Sequence, residues 1–338
     1  MHNTETPTSS PSHAVKSLSE GASLCLRGLL ASPEKYLATV GDCSGTQILD
    51  CGVEAQGTAE LGVIMADVAM GGRGKTDLIS KDSSLSLSAI WPECPWPLVQ
   101  VRSNDPVSAC LASQYAGWQI DHENFKAMAS GPIRAAIGKE KIFETIGRRE
   151  QPEITVGLLE TNRLPPQTVC QELASLTGLP AHALTLLVAA TESTAGMVQV
   201  IARSLETALH QLHECGFDLE RIVRGSGVAP LPPEMQGSLA AIGCANDAIL
   251  YGGVVRLDVI GDDESLEAIG PQAVSSHSTL HGELFSVLFK QANQDFYALD
   301  PALFAPAVLE LRNLDSGRHH KFGLLSPDIV EKSFSVSG

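Results

Sequence analysis

The sequence is short of positive charge. Its 23 lysine and arginine residues stand against 39 aspartate and glutamate residues, which gives 338 residues a formal net charge of −16. An acidic chain without a basic run is a poor match for nucleic acid or for an anionic membrane surface. The sequence also lacks an uninterrupted apolar stretch of about 18 residues, the length needed to cross a bilayer. We therefore expect neither nucleic acid nor a membrane as a partner.

Paired cysteines are also missing. The eight cysteines are scattered, and no two of them form a CxxC motif. In a chain of this length such spacing predicts free, mostly buried thiols in a reducing compartment. The start, MHNTETPTSSPSH, lacks the basic and then apolar order of a secretory signal, and residues 1–14 are expected to form a disordered tail. Both features predict a cytoplasmic protein.

Motifs for nucleotide, metal and nucleophile sites are incomplete or absent. AMGGRGKT (69–76) ends like a phosphate loop, but alanine stands where that motif needs its first glycine. GSGVAP (225–230) begins like a dinucleotide fingerprint, but Pro230 replaces the third glycine, and we expect a loop that shapes a pocket wall or reverses the chain. His277 and His281 have half of a zinc spacing without CxxC or HExxH. We expect no metal site, and the absence of GxSxG removes support for an α/β-hydrolase nucleophile.

What is present is an alternation of strands and helices after residue 153. The patterns predict a strand at 154–160, a helix at 166–177, a strand at 184–190 and a helix at 196–215. This order predicts βαβ units and a parallel sheet, and hence a mixed α/β fold in two domains. The charged segment 140–153 is the best linker candidate. We expect a first α/β domain at 15–145, joined by 280–338, and a second at 146–279.

The rest of the chain is interpreted from periodicity and turn residues. Predicted helices are 14–31, 107–116, 133–137, 280–292 and 327–334. Predicted strands are 36–40, 47–51, 85–91, 98–102 and 118–120, with a strand region at 248–260 and a hairpin formed by 307–313 and 319–324. FKAMASGP (125–132) is interpreted as a loop. The strongly apolar segment 61–70 fits either a strand or a helix.

The predicted helix at 196–215 carries the candidate site. Its apolar residues recur at helical spacing: Val198, Ile201, Leu205, Ala208, Leu209 and Leu212. Gln199, Arg203, Glu206 and His210 lie on the opposite face. Arg203 and Glu206 are three residues apart and can meet, and considered alone they would form a solvated ion pair. Because they follow the carboxyl end of a predicted strand, where open α/β sheets bind ligands, they can instead serve a cleft, with Glu206 as a general base kept ionised by the guanidinium.

Several stretches together resemble the methenyltetrahydromethanopterin cyclohydrolase family. They include ILDCGVEAQG (48–57), SNDPVSACLASQYAGWQI (103–120), FKAMASGP (125–132), the 184–207 block ending IARSLET, NDAILYGG (246–253) and DFYALDPALFAPA (295–307). They occur in the family's order over residues 15–335. The resemblance implies an enzyme of one-carbon metabolism, found in methane-producing archaea and methylotrophic bacteria. It would add water reversibly to 5,10-methenyl-tetrahydromethanopterin to give the 5-formyl form, with no metal or redox cofactor.

The resemblance also implies an assembly and a set of site residues. Members look like homotrimers of two-domain subunits that hold the pterin in a pocket between the domains. The catalytic R-x-x-E motif corresponds to Arg203 and Glu206, and the reacting carbon would be lined by Gln114, Tyr115 and Ala116. Two departures are Tyr115, where the family often has lysine, and Glu192, where relatives carry a small residue; we expect Glu192 to face water.

Two other functions stay open at this point. The chain could be a non-catalytic relative that binds tetrahydromethanopterin, since fold and family alone do not establish activity. It could also transfer a hydride to the same pterin, but that reaction needs a nucleotide site, which neither glycine-rich stretch supplies.

Overall fold

The computed structural model describes residues 17–80, 91, 94–122 and 124–335. Over these ranges it is a mixed α/β protein with two six-stranded sheets and helices packed against both. The predicted fold class is confirmed. The predicted tail (1–14) and nearly all of the predicted strand at 85–91 lie outside the described residues.

Helices and strands occur throughout the described chain. The α-helices are α1 (Leu18–Ala31), α2 (Ala59–Ala69), α3 (Ile133–Ile137), α4 (Ile142–Ile146), α5 (Gln167–Thr177), α6 (Thr194–Ile201), α7 (Ser204–Glu214), α8 (Ser238–Leu250), α9 (Asp263–Ile269), α10 (Phe285–Gln291) and α11 (Pro327–Ser335). The strands are β1 (Thr39–Cys43), β2 (Thr46–Gly52), β3 (Gly74–Ile79), β4 (Leu98–Ser103), β5 (Trp118–His122), β6 (Phe125–Ser130), β7 (Thr155–Glu160), β8 (Leu184–Ala189), β9 (Ile222–Pro230), β10 (Val254–Val259), β11 (Val308–Asn313) and β12 (His319–Gly323). Val107–Gln114 form a π-helix.

The first sheet has the strand order β1-β2-β8-β7-β6-β5. Its central strands β2, β8 and β7 run parallel, so the predicted βαβ unit β7-α5-β8 is confirmed. Such strands are buried on both faces. Leu158 and Leu187 pack against α1 and α2, whereas Leu159 and Leu186 pack against α3 and α5. Because β7 and β8 are parallel, their carboxyl ends meet at one edge of the sheet.

The second sheet has the order β12-β11-β10-β9-β4-β3, in which only β10 and β11 are parallel neighbours. Helix α7 covers one face, where Leu205 and Leu209 join the hydrophobic cluster of Val255, Leu257 and Leu309. The predicted hairpin at the end of the chain is confirmed as β11 and β12, which pair antiparallel.

Two glycines let α7 lie directly on β9. A Cβ atom on Gly227 would stand 2.5 Å from Ser204 Oγ and 2.6 Å from the Leu205 backbone nitrogen, and one on Gly225 would stand 2.7 Å from Leu205 Cδ1. Real Cβ atoms do not approach other atoms this closely, so these positions need glycine. The GSGVAP stretch is therefore part of strand β9, and its interpretation as a loop was wrong.

The helix predicted at 196–215 is also two helices. Helix α6 ends at Ile201, α7 begins at Ser204, and Arg203 lies at the junction with φ −82° and ψ 2°. Such a kink forms where a side chain enters the helical hydrogen-bond ladder. Here the Gln114 side-chain amide donates to the Ala202 carbonyl at 3.2 Å. The sequence pattern could not reveal this break because the partner lies about 90 residues away.

Other corrections have similar causes. FKAMAS is strand β6, not a loop, because burial of Phe125, Ala127 and Ala129 outweighs the weak strand preference of its small residues. Segment 61–70 is helical, as α2. The region at 248–260 divides into the end of α8 and strand β10. The charged segment 140–153 contains helix α4, whose Phe143 is fully buried.

Each sheet takes strands from both sides of residue 145. The sheets do not follow the domain boundaries proposed from the sequence, and those boundaries stay a prediction. Along the described part of the chain, no helix combines the length and apolar character that a bilayer crossing requires.

Candidate active site

A cavity of about 400 Å³ lies beside the carboxyl end of β7 and the start of α7. This volume falls in the range of small-molecule sites. One wall is polar and carries Glu160, Arg203, Glu206, His210 and Glu214. The facing wall is largely apolar and comes from α8 and the 296–304 segment: Ile249, Leu250, Phe296, Leu299, Pro301 and Phe304. Tyr115, Ala116 and Gly117 close a third side, where the Tyr297 hydroxyl donates to the Gly117 carbonyl at 3.0 Å.

The structure brings Arg203 and Glu206 together in this cavity and buries both. Arg203 is 7% exposed and Glu206 is 6% exposed, so the solvated-pair interpretation was wrong. The Arg203 guanidinium donates to Gln199 Oε1 at 3.0 Å and to Ser130 Oγ at 3.4 Å. Its ion pair, at 3.9 Å, is with Glu160 Oε2, while Glu206 lies beyond ion-pair distance.

Three buried polar atoms near this junction have no hydrogen-bond partner among the described residues. They are Arg203 Nε, a donor, Gln114 Oε1, an acceptor, and the Ser204 hydroxyl, which can act as either. Buried polar groups are nearly always paired in folded proteins. The guanidinium that carries this donor lines the cavity, whereas the Nε atom itself is covered by protein.

The environment of Glu206 decides how it titrates. Burial raises the pKa of this carboxyl from 4.5 to about 7, against the opposing effect of the Arg203 and Arg134 guanidinium groups. The sequence-based expectation was a carboxylate kept ionised by Arg203. Arg203 does lower the pKa of Glu206, but burial has the larger effect, so both the protonated and the ionised forms are populated near neutral pH. That is the behaviour required of a group that accepts and then returns a proton.

The 114–116 segment lies at the end of the π-helix, a geometry often found at functional sites. Tyr115 and Ala116 line the cavity, whereas Gln114 is fully buried behind the wall, where its amide supports the Arg203 junction. The Tyr115 ring stacks on His210, with ring centroids 4.4 Å apart and planes 20° apart. Burial lowers the pKa of His210 to about 4, so this ring is neutral at neutral pH.

Arg134 holds the same segment from outside the cavity. It is fully buried, pairs in bidentate fashion with Glu140 at 2.8 and 2.9 Å, and donates to the Leu111 carbonyl at 2.8 Å. Its guanidinium lies 5.0 Å from the Tyr115 ring centroid. A charged side chain that binds the carbonyls of the π-helix and stacks on Tyr115 fixes the position of the cavity wall.

Sequence reasoning missed Glu160 and Arg134. Glu160 is the last residue of β7, which pairs with β8. Because ligands bind at the carboxyl ends of strands in open α/β sheets, the position of Glu160 at the end of a predicted strand could have identified it. Arg134 lies in the short apolar stretch IRAAI, which gave no signal. Glu192 is exposed and accepts from the Ser238 hydroxyl at 2.7 Å, in agreement with the expectation that it faces water.

The incomplete metal and phosphate motifs lie in other structural contexts. Within the described ranges, no three His, Cys, Asp or Glu side chains are grouped so that they could hold a metal ion. AMGGRGKT ends helix α2 and enters strand β3, whereas a phosphate loop precedes a helix.

Comparison with known proteins identifies the family of this chain. The family model described as Cyclohydrolase (MCH) matches residues 17–334. A methenyltetrahydromethanopterin cyclohydrolase of Methylobacillus flagellatus is 40% identical over 294 residues, which cover 87% of this chain and 88% of that protein. The protein of the same name from Methylobacterium sp. (strain 4-46) is 39% identical over 316 residues, with 92% and 95% covered. The one from Rhodopirellula baltica is 36% identical over 339 residues, with 98% and 99% covered. The chain therefore belongs to the cyclohydrolase (MCH) family.

Proposed function

We propose that this protein is a methenyltetrahydromethanopterin cyclohydrolase, which adds water to 5,10-methenyl-tetrahydromethanopterin and gives 5-formyl-tetrahydromethanopterin in a reversible reaction. The observation that carries this proposal is a buried carboxyl, Glu206, whose pKa is about 7 and which faces a cavity beside Arg203. Membership of the family and the names of relatives at 36–40% identity support it.

The chemistry needs a proton to move twice. The methenyl carbon lies between two nitrogens and carries an amidinium-like positive charge, which makes it electrophilic. As water attacks, ionised Glu206 takes the proton, and the carbon and the water oxygen form a tetrahedral intermediate. The C–N10 bond then breaks as protonated Glu206 gives its proton to the leaving nitrogen. The hydroxyl on the carbon loses its remaining proton to the ionised Glu206 carboxylate, which passes it to solvent, and the oxygen becomes the formyl oxygen on N5. One carboxyl thus serves as base and then as acid.

Arg203 has a positioning and an electrostatic part in these steps. Its partners Gln199 and Ser130 fix the plane of the guanidinium, whose N–H groups at the cavity can donate to the attacking water or to the developing formyl oxygen. The stacked pair of Tyr115 and neutral His210 supplies a flat wall against which a planar ring system can pack.

Several further properties belong to the same proposal. We expect the enzyme to work without a metal or redox cofactor, to assemble as a homotrimer, and to act in the cytoplasm without nucleic acid or a membrane as a partner. The expected setting is one-carbon metabolism, in formaldehyde oxidation by methylotrophs. The organisms of the relatives support the methylotrophic setting, and the acidic composition argues against nucleic acid and an anionic membrane surface as partners.

The proposal is tested with purified protein and methenyl-tetrahydromethanopterin, by following loss of the methenyl absorbance. We expect turnover by the wild type, and in Glu206→Gln a turnover about 10²–10⁴-fold lower with pterin binding retained, since that is the usual contribution of a general acid–base group. Binding without turnover by the wild type would instead identify a non-catalytic relative, and a requirement for nicotinamide cofactor would indicate hydride transfer. A near-normal rate in Glu206→Gln would remove this residue from the mechanism.

A further inference from the structure

Glu160 lies in the cavity wall and has a polar contact at each of its two carboxylate oxygens. It is the last residue of β7, and its side chain is 18% exposed. The Thr191 hydroxyl, which follows β8, donates to Glu160 Oε1 at 2.5 Å. The other carboxylate oxygen faces the Arg203 guanidinium at 3.9 Å. Two adjacent parallel strand ends therefore hold one carboxylate oxygen on a hydroxyl and direct the other at the cation.

The charges around the cavity indicate why a carboxylate is needed beside Arg203. Among the described lining residues, Arg203 is the side chain that carries a permanent positive charge. The methenyl substrate of the proposed reaction is itself a cation, and two like charges in a partly enclosed cavity repel each other more than they do in bulk water. Binding of such a substrate beside Arg203 therefore requires a negative charge that stays fixed near the guanidinium.

The other lining carboxyls do not meet this requirement. Burial raises the pKa of Glu206 to about 7, and this group also gains a proton during the reaction. Glu214 has a side chain that is 48% exposed and lies within 4 Å of His210 and His213, away from Arg203. Glu160 is the remaining lining carboxylate, and it is the one at ion-pair distance from Arg203.

We propose that Glu160 is a positioning residue that orients Arg203 and offsets its charge, so that the cavity admits a cationic pterin. This inference rests on the proposed function, because it concerns the charge of that substrate. It predicts a specific asymmetry. Glu160 should matter for the methenyl form, which is a cation. It should matter little for the formyl form, in which water has been added, the C–N10 bond is broken and the reacting carbon carries no positive charge.

The test compares dissociation constants in a background that does not turn over. Glu206→Gln and the double variant Glu160→Gln/Glu206→Gln are titrated with methenyl-tetrahydromethanopterin and with its 5-formyl form. We expect the added Glu160→Gln change to weaken binding of the cation by about 10-fold and binding of the neutral form by less than about 2-fold, the scale of a charge pair near a protein surface. Glu160→Asp in the same background, which retains the charge, should restore most of the affinity for the cation.

Glu192→Gln is the matched control, since this carboxylate follows the neighbouring strand but is exposed and bonded to Ser238. It should change neither constant. Equal weakening of both ligands by Glu160→Gln would assign the residue a structural role and overturn the proposal, as would no change in either. If Glu160→Gln does not fold, Glu160→Ala gives the same comparison. Failure of both pterins to bind Glu206→Gln would count against the proposed function itself, a result distinct from loss of the asymmetry.

Discussion

Replacing Glu206 by glutamine should make the protein more stable above pH 7 while it removes turnover. Burial raises the pKa of the Glu206 carboxyl from 4.5 to about 7. The folded protein therefore binds this proton more tightly than the unfolded chain, and stability falls as pH rises from about 4.5 to about 7. Above that range the ionised carboxylate costs about 3 kcal/mol of folding free energy. Glutamine has nearly the same shape and no charge, so it avoids this cost.

The folding free energy that ionised Glu206 costs can be measured by comparing the two proteins at two pH values. The cost is about 1 kcal/mol near pH 5, where the unfolded carboxyl is already mostly ionised, and about 3 kcal/mol near pH 8. The stability of Glu206→Gln relative to wild type should thus increase by about 2 kcal/mol between these pH values. Urea unfolding at one protein concentration gives both numbers. Buried Asp247 also has a pKa raised to about 7, but it is present in both proteins, so its effect cancels.

The exposed Glu192→Gln variant is the control and should show no such pH dependence. Two results would refute the conclusion that burial raises the pKa of Glu206. One is a Glu206→Gln variant that is less stable than wild type at pH 8; the other is a difference in unfolding free energy that is the same at both pH values. The combination of higher stability and lost activity is expected where a site is organised for chemistry at some cost in stability.

Three further changes test the support of the site. Arg203→Lys should lower kcat about 10²-fold, because an ammonium group cannot reproduce the planar set of donors; steady-state kinetics check this. Gly227→Ala should destabilise the protein by about 1–3 kcal/mol and reduce activity, because its Cβ would meet the first turn of α7; urea unfolding checks this. Arg134→Met should cost about 1–3 kcal/mol, because it leaves the Leu111 carbonyl and the partly exposed Glu140 without their donor; urea unfolding again gives the value.

Controls for these variants are available in the chain. Gly28→Ala lies in α1 with no atom within 4 Å of the added Cβ and should stabilise by about 0.5–1 kcal/mol. Arg163→Lys, on the surface, should leave kcat unchanged. Wild-type kcat in Arg203→Lys, or neutral effects of Gly227→Ala or Arg134→Met on stability, would contradict the packing and ion-pair arguments one by one.

Elements with a strong local pattern could be predicted from the sequence. The βαβ unit around α5, helix α3, the final hairpin and helix α11 were found in this way, because their apolar spacing and turn residues agree with their tertiary surroundings. Strand β6 and the strand character of GSGVAP were missed. In both cases small residues are poor strand formers by themselves, and tertiary contacts stabilise the strand. Strand β6 pairs with β7, and GSGVAP packs against α7.

The sequence by itself determined the mixed α/β class, the family resemblance and the identity of the R-x-x-E pair, because these depend on residue order and local periodicity. Only the tertiary structure decided that Arg203 pairs with Glu160, that Gln114 breaks the helix at Ala202, and that Glu206 titrates near pH 7. The physical reason is that pairing and desolvation depend on groups distant in the chain. No local pattern records how much water a side chain loses or which charge it meets when the sheets and helices pack together.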